Sequence, residues 1–121
     1  MNISSTFAQI TNPYRIAYCA SKAAAVQMTR VMAVDWATYR IRVNAVGPGL
    51  TKTPFTMAVF DDGDVPATED QVPMGRMAEA EQMVGAVVYL ACDGASYVTG
   101  AFLIVDGGQS VNWRLGERQR E

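Results

Sequence analysis

The order of apolar and polar residues predicts strands that alternate with helices. Residues 1–5 open the chain as an apolar–polar segment that we predict as a strand, and a loop with Asn12 and Pro13 follows. From Ala17 to Tyr39 there is no Gly or Pro and alanine is abundant, which predicts a long helix. Because this helix is apolar on nearly all sides, we expect it to be buried in the core or in a subunit interface.

Two more strands and one more helix are predicted further along the chain. Residues 41–46 are rich in β-branched side chains and end at a Gly-Pro-Gly break. Residues 76–93 carry the apolar stripe of a helix, and the apolar run 101–105 is typical of a strand buried on both faces. The order strand–helix–strand–helix–strand predicts an α/β fold with a parallel sheet and helical crossovers.

The remaining segments are poor core elements. Residues 50–75 hold three prolines and an acidic run, so we expect an excursion from the core with one short helix. Residues 109–121 are polar and are predicted as a tail. The 121 residues suffice for one domain, so we treat residues 1–121 as a single unit.

Composition narrows the classes of function. Half of the residues are hydrophobic, which is typical of a globular domain, and the net charge of −2 offers no basic surface for nucleic acid. The chain contains no histidine and only two cysteines, which argues against Ser-His-Asp chemistry and against a metal site. No apolar run reaches the roughly 20 residues of a membrane span, and we expect a cytoplasmic protein.

The stretch "YCASK" places Tyr18 and Lys22 four positions apart on the first predicted helix. Side chains at this spacing are neighbours on one helical face. A phenol has a pKa of about 10, and a nearby cation favours the phenolate, so the pair can serve as a proton donor and acceptor. The alternative for this pair alone is an ordinary tyrosine beside a solvated lysine.

Several segments together resemble the short-chain dehydrogenase/reductase family. The matching stretches are "NISS" (2–5), "YCASK" (18–22), "RVNAVGPGLTKTP" (42–54), the segment 73–100 from "PMGRM" to "YVTG", and "VDGG" (105–108). They follow the family's order and spacing over nearly the whole chain. The resemblance implies a three-layer Rossmann-like parallel sheet, here with only its last three strands and their crossover helices.

The resemblance also implies catalytic roles for three residues. Tyr18 matches the family's general acid/base, and Lys22 matches the lysine that lowers the tyrosine pKa and holds the nicotinamide ribose. Ser5 matches the serine that hydrogen-bonds the substrate oxygen. Ser4 is the rival candidate, but the thirteen-residue spacing to Tyr18 favours Ser5, and adjacent strand residues point to opposite faces.

Further positions match the family's binding site for NAD or NADP. Pro48 and Gly49 match the turn that approaches the nicotinamide, and Thr51 and Thr53 match residues near its carboxamide. Other residues in the motifs are expected to be structural: Asn44, Gly107, Gly108 and the packing residue Cys19. The resemblance further implies that residues 54–75 form a substrate lid over a small alcohol or ketone.

The family's first half has no counterpart in this sequence. Its Gly-rich turn, T-G-x-x-x-G-x-G, is absent, so the chain is expected to correspond to the carboxyl half of a dehydrogenase. The resemblance implies a homo-oligomer formed through residues 76–93 and 101–105, or association with a missing amino-terminal half.

Three functions remain open at this point. The first is an oxidoreductase that transfers a hydride between NAD(P) and an alcohol or ketone. The second is a truncated, catalytically inactive remnant that acts as an oligomerisation or interaction module. The third is a small cofactor-free hydrolase using Ser5 or Tyr18, which the absence of histidine disfavours.

Overall fold

Three parallel strands form the centre of the molecule. The computed structural model describes residues 1–59 and 69–112. The strands are β1 (Asn2–Ile3), β2 (Ala45–Pro48) and β3 (Phe102–Val105), and they pair in parallel in the order β1-β2-β3. This arrangement confirms the predicted α/β class and the Rossmann-like parallel sheet. Because all strands run the same way, their carboxyl ends meet at one edge of the sheet.

Helices connect and flank these strands. The long helix α1 spans Ile16–Trp36, α2 spans Pro54–Val59 and α3 spans Val84–Ala91. Short 3-10 turns surround them at Thr6–Ala8, Ala37–Tyr39, Ala80–Met83, Asp93–Ala95 and Gln109–Val111. The long helix and the short helix after β2 are therefore confirmed. Within the described residues, no helix combines the length and the apolar character needed to span a bilayer.

Helix α1 is buried on one face only. Val26, Thr29 and Ala33 are buried, whereas Met28 is 52% and Val34 76% exposed. Thr29 anchors the helix to β1, since its Oγ1 accepts a hydrogen bond from Asn2 Nδ2 at 2.9 Å. Within the chain itself the sheet covers a single face of the helix, so burial of the remaining faces in a subunit interface stays a prediction.

The first two strands have boundaries that differ from the prediction. β2 begins at 45 instead of 41, and the Val43 amide before it bonds to a side chain instead of to the backbone of a neighbouring strand. The Val43 amide donates to Thr99 Oγ1 at 3.0 Å, and Asn44 Nδ2 donates to the Val98 carbonyl at 2.8 Å. β1 ends at Ile3 instead of residue 5, because Ser5 already caps the next 3-10 turn.

The second long helix and the last strand also depart from expectation. A capping box of Glu79 and Gln82 starts the helical turns at Ala80, so residues 76–78 are not helical. Ala78 instead forms a parallel bridge with Thr51. β3 was expected to be buried on both faces, but its four residues are half-buried because it is an edge strand paired with β2 alone.

Candidate functional site

An open cavity lies at the carboxyl edge of the sheet. It is bordered by residues that follow β1, β2 and β3, and by the start of α1 and one side of α2. The lining residues are Ser5, Thr6, Phe7, Asn12, Arg15, Tyr18, Gly49, Leu50, Phe55, Thr56, Val59 and Gln109. Three residues predicted from the sequence, Ser5, Tyr18 and Gly49, therefore share one cavity.

The two adjacent serines have different surroundings. Ser5 is 7% exposed, and its Oγ accepts a hydrogen bond from the Phe7 amide at 3.2 Å. This bond uses a lone pair of the oxygen and leaves the hydroxyl proton free to be donated. Ser4 Oγ instead donates to the Lys22 carbonyl at 2.8 Å, which ties β1 to α1. The geometry separates Ser5, on the cavity, from Ser4, in the packing.

Tyr18 lies in the first turn of α1, with its ring on the cavity wall. Phe7 packs edge-on against it, with ring centroids 6.2 Å apart and planes at 83°. Such an aromatic contact fixes the ring without occupying its hydroxyl. No group in residues 1–59 or 69–112 forms a hydrogen bond with the Tyr18 hydroxyl. The phenol is thus held in place with its polar atom available to a ligand.

Lys22 lies one turn further along α1, as the i,i+4 spacing predicts. Its Nζ is 5.7 Å from the centroid of the Tyr18 ring, and it donates to the Ile3 carbonyl at 3.4 Å. The ammonium group is therefore held between the end of β1 and the face of the phenol ring. From there it contributes a positive charge beside Tyr18.

The residues predicted to bind the nicotinamide form a structured turn after β2. The Gly49 amide donates to the Val105 carbonyl at 2.9 Å, and a Cβ at this position would lie 2.6 Å from Asp106 Cβ. Only glycine fits so close an approach. Thr51 is buried, and its Oγ1 donates to the Gly49 carbonyl at 3.0 Å.

Pro48 and Thr53 lie at the two ends of that turn. Pro48 is the last residue of β2, where it pairs with Val105. Thr53 Oγ1 accepts from the Thr56 amide at 3.1 Å and so caps α2, which starts with Pro54. Among the four predicted binding residues of this turn, Gly49 lines the cavity, whereas Pro48, Thr51 and Thr53 support the backbone next to it.

The residues expected to be structural make structural contacts. Asn44 is buried, and its side chain joins the Val98 carbonyl to the Ala101 amide. Gly107 and Gly108 have φ of 62° and 90°, which glycine adopts without strain. Cys19 is half-buried with a free thiol.

Some cavity residues were not predicted from the sequence. Gln109 fell inside the predicted tail, yet it is 3% exposed and lies on the cavity wall. The available signal was its position directly after "VDGG", at the carboxyl end of a strand. Arg15 gave no comparable signal, whereas Phe55 belongs to the segment 54–75 that was predicted as a substrate lid. Of the predicted lid 54–75, residues 60–68 lie outside the described residues, as do residues 113–121 of the tail.

Comparison with known proteins shows the family to which the sequence of this chain is similar. A family model described as enoyl-(acyl carrier protein) reductase matches residues 1–110. A 3beta-hydroxysteroid dehydrogenase of Eggerthella lenta is 41% identical over 112 residues, covering 92% of this chain and 43% of the relative. A galactitol 2-dehydrogenase (L-tagatose-forming) of Cereibacter sphaeroides is 41% identical over 114 residues, covering 92% of this chain and 45% of the relative.

Solved structures agree with the sequence comparisons. A gluconate 5-dehydrogenase from Burkholderia cenocepacia J2315, in complex with NADP and tartrate, superposes with a TM-score of 0.87 at 32% identity. The match covers 92% of this chain and 44% of that chain. The chain thus spans less than half the length of these relatives. From the matched family model and the shared fold we conclude that the chain belongs to the short-chain dehydrogenase/reductase family.

Proposed function

We propose that this chain carries the catalytic part of an oxidoreductase that interconverts a small alcohol and its ketone with NAD or NADP. The observation that carries the proposal is the placement of Ser5 and Tyr18 on one cavity, with the Lys22 ammonium 5.7 Å from the Tyr18 ring. The alternative of an inactive oligomerisation module draws no support from these relatives, which carry the names of dehydrogenases.

In the proposed mechanism, Ser5 and Tyr18 handle the reacting oxygen. The Ser5 hydroxyl donates a hydrogen bond to the substrate oxygen, since the Phe7 amide already occupies one of its lone pairs. The Tyr18 hydroxyl gives its proton to the carbonyl oxygen during reduction and takes it back during oxidation. The Lys22 ammonium, 5.7 Å from the centroid of the Tyr18 ring, places a positive charge beside the phenol.

The described residues fit the nicotinamide end of such a cofactor. Tyr18 and Lys22 offer a hydroxyl and an ammonium that suit ribose hydroxyls. Gly49 presents backbone without a side chain, supported by Pro48, Thr51 and Thr53. When bound, the cofactor supplies or accepts the hydride. A Gly-rich turn for its pyrophosphate is absent from the sequence, so tight binding requires a contribution from another segment or chain.

The proposal extends to the setting of the reaction. Relatives named for galactitol and gluconate support a small hydroxylated substrate. We further propose a cytoplasmic enzyme that assembles as a homo-oligomer or with an amino-terminal half.

The acid/base role is tested by replacing Tyr18 with phenylalanine. In protein that turns over ketones with NADH or NADPH, Tyr18→Phe is expected to lower kcat by at least about 10²-fold, because the proton donor is lost. Tyr14→Phe is the matched control, since Tyr14 is fully exposed and outside the cavity. Near-normal turnover by Tyr18→Phe would remove Tyr18 from this role.

A further inference from the structure

Gln109 has a buried amide with an unpartnered oxygen. The residue starts the 3-10 turn after β3, and only 3% of its surface is exposed. Its Oε1 has no hydrogen-bond partner among the described residues. A buried polar atom left in this state costs free energy, and native structures contain few of them. Because Gln109 lines the cavity, a ligand bound there can supply the missing bond.

The position of Gln109 indicates which ligand it would meet. Ser5 follows β1, Gly49 follows β2 and Gln109 follows β3, and all three line the same cavity. The lining of this cavity also includes the apolar residues Phe55 and Val59 of α2. The terminal torsion of a glutamine side chain is broad, so a modest rotation of the amide can direct either polar atom toward the cavity.

The chemistry of the free atom restricts the partner. Oε1 is an acceptor, so it requires a donor, and a carboxylate or a hydrocarbon group would leave it unpaired. An ammonium group would donate, but Arg15, which also lines this cavity, disfavours a second cation there. A hydroxyl donates to the amide oxygen, and it can also accept from the amide nitrogen.

We propose that Gln109 binds a second hydroxyl of the substrate, next to the carbon that reacts between Ser5 and Tyr18. The preferred substrates are then vicinal diols, polyols or their hydroxyketones. This inference rests on the proposed function, because it assumes that the substrate oxygen lies at Ser5 and Tyr18. Gln109 acts as a specificity-determining residue and takes no part in proton transfer.

The test compares two alcohols that differ by one hydroxyl, cyclohexane-1,2-diol and cyclohexanol, with NAD or NADP. Wild-type protein is expected to favour the diol in kcat/KM. Gln109→Leu is expected to lower the ratio of kcat/KM for the diol to that for cyclohexanol by roughly 10- to 100-fold, the usual effect of one lost buried hydrogen bond. Gln9→Leu is the matched control, because Gln9 is exposed and does not line this cavity.

A second variant guards against misfolding. Gln109→Met keeps the length of the side chain without its polar atoms and without a buried charge, so it is expected to lower the diol preference as Gln109→Leu does. Leucine removes the unpartnered amide, so the unfolding midpoint of Gln109→Leu is expected not to fall. An unchanged ratio in both variants would overturn the inference while leaving the alcohol–ketone reaction in place.

Binding measurements separate this inference from the proposed reaction. Saturation-transfer NMR of the purified protein with each alcohol reports contact without turnover. If neither alcohol is oxidised but the diol binds and its signal is lost in Gln109→Leu, the proposed reaction fails and the inference stands. If the diol does not bind, or binds equally well in Gln109→Leu and wild type, the inference is wrong.

Discussion

At the scale of single residues, the two serines after β1 are adjacent in the chain but form different kinds of hydrogen bond. The Ser4 hydroxyl donates its proton to the Lys22 carbonyl, whereas the Ser5 hydroxyl accepts a bond and can still donate its proton to a ligand. Both side chains are buried, so burial does not distinguish them. The direction of the hydrogen bond does, because a hydroxyl that already donates cannot donate to a substrate as well.

The two serines therefore give a paired prediction. Ser5→Ala is expected to lower kcat roughly 10²-fold, as the loss of one donor to a developing oxyanion does elsewhere. Ser4→Ala is expected to lower the free energy of unfolding by about 1 kcal/mol, with near-normal kcat. Steady-state kinetics and urea denaturation of both variants test this. An equal loss of kcat in Ser4→Ala would show that the cavity does not distinguish the two hydroxyls.

The proximity of Tyr18 and Lys22 could be predicted from the sequence because their geometry is local and follows from helical spacing. Ser5 was selected by the family's thirteen-residue spacing, and the structure places it on the same cavity as Tyr18. Gln109 could not be predicted in this way, since its burial depends on elements distant in the chain. The supporting roles of Thr51 and Thr53 also emerged only from the backbone, which uses their hydroxyls for the turn and for the α2 cap.

At the scale of elements, Arg42 closes the carboxyl end of α3. Its guanidinium donates to the Leu90 carbonyl at 2.8 Å and to the Cys92 carbonyl at 3.3 Å. It also reaches Ala91 and Val98, at 3.5 and 3.4 Å. The last carbonyls of a helix lack partners within the helix and carry partial negative charge, so a planar cation with several donors suits them. This one side chain fastens α3 to the start of β2.

Removing this cap gives the prediction at this scale. Arg42→Leu is expected to lower the free energy of unfolding by about 2–4 kcal/mol, because several carbonyls lose a charge-assisted bond. Arg42→Lys is expected to lower the free energy of unfolding by a smaller amount, because a single ammonium reaches fewer carbonyls. Arg30→Leu on the exposed side of α1 serves as control, with a change within about 0.5 kcal/mol. If urea denaturation shows that Arg42→Leu changes the free energy of unfolding as little as the control does, this role is contradicted.

Element boundaries show where sequence patterns end and tertiary contacts begin. The apolar run of β2 correctly predicts a strand, but the strand starts at Ala45, and the Val43 amide before it bonds to the Thr99 side chain. Residues 76–78 have helix-compatible composition, yet Ala78 forms a bridge with Thr51. Neither partner lies within the window from which a local pattern is read.

At the scale of the molecule, apolar surface remains open on both sides of the sheet. On α3, Val84 is 54% exposed and Val88 56%, and on β1 Ile3 is 54% exposed. Among the described residues, β1 and β3 are the edge strands of the sheet, and each pairs with β2 alone. Surfaces of this kind are costly in water and are normally covered by a partner.

We therefore predict that the chain self-associates at micromolar concentration. The contact is expected to use α3 and β3, and Val88→Glu at the centre of the exposed α3 face should shift the assembly toward monomer, because it places a charge in an apolar contact. Analytical ultracentrifugation of both proteins tests this. A stable monomer of 13.1 kDa for the wild type would show that the chain tolerates its open edges.

The Asn44 side chain, which bonds to the Val98 carbonyl and the Ala101 amide, has a consequence for how the chain folds. Its two side-chain bonds join residues 54 and 57 positions apart, so they form only after a long loop has closed. Loop closure costs entropy before such contacts return any stability, whereas the turns of α1 need no such closure. Asn44→Ala is therefore expected to accelerate unfolding with little change in the folding rate, measured by stopped-flow at fixed protein concentration. A folding rate that drops in proportion to the lost stability would show instead that the Asn44 bonds are already formed in the folding nucleus.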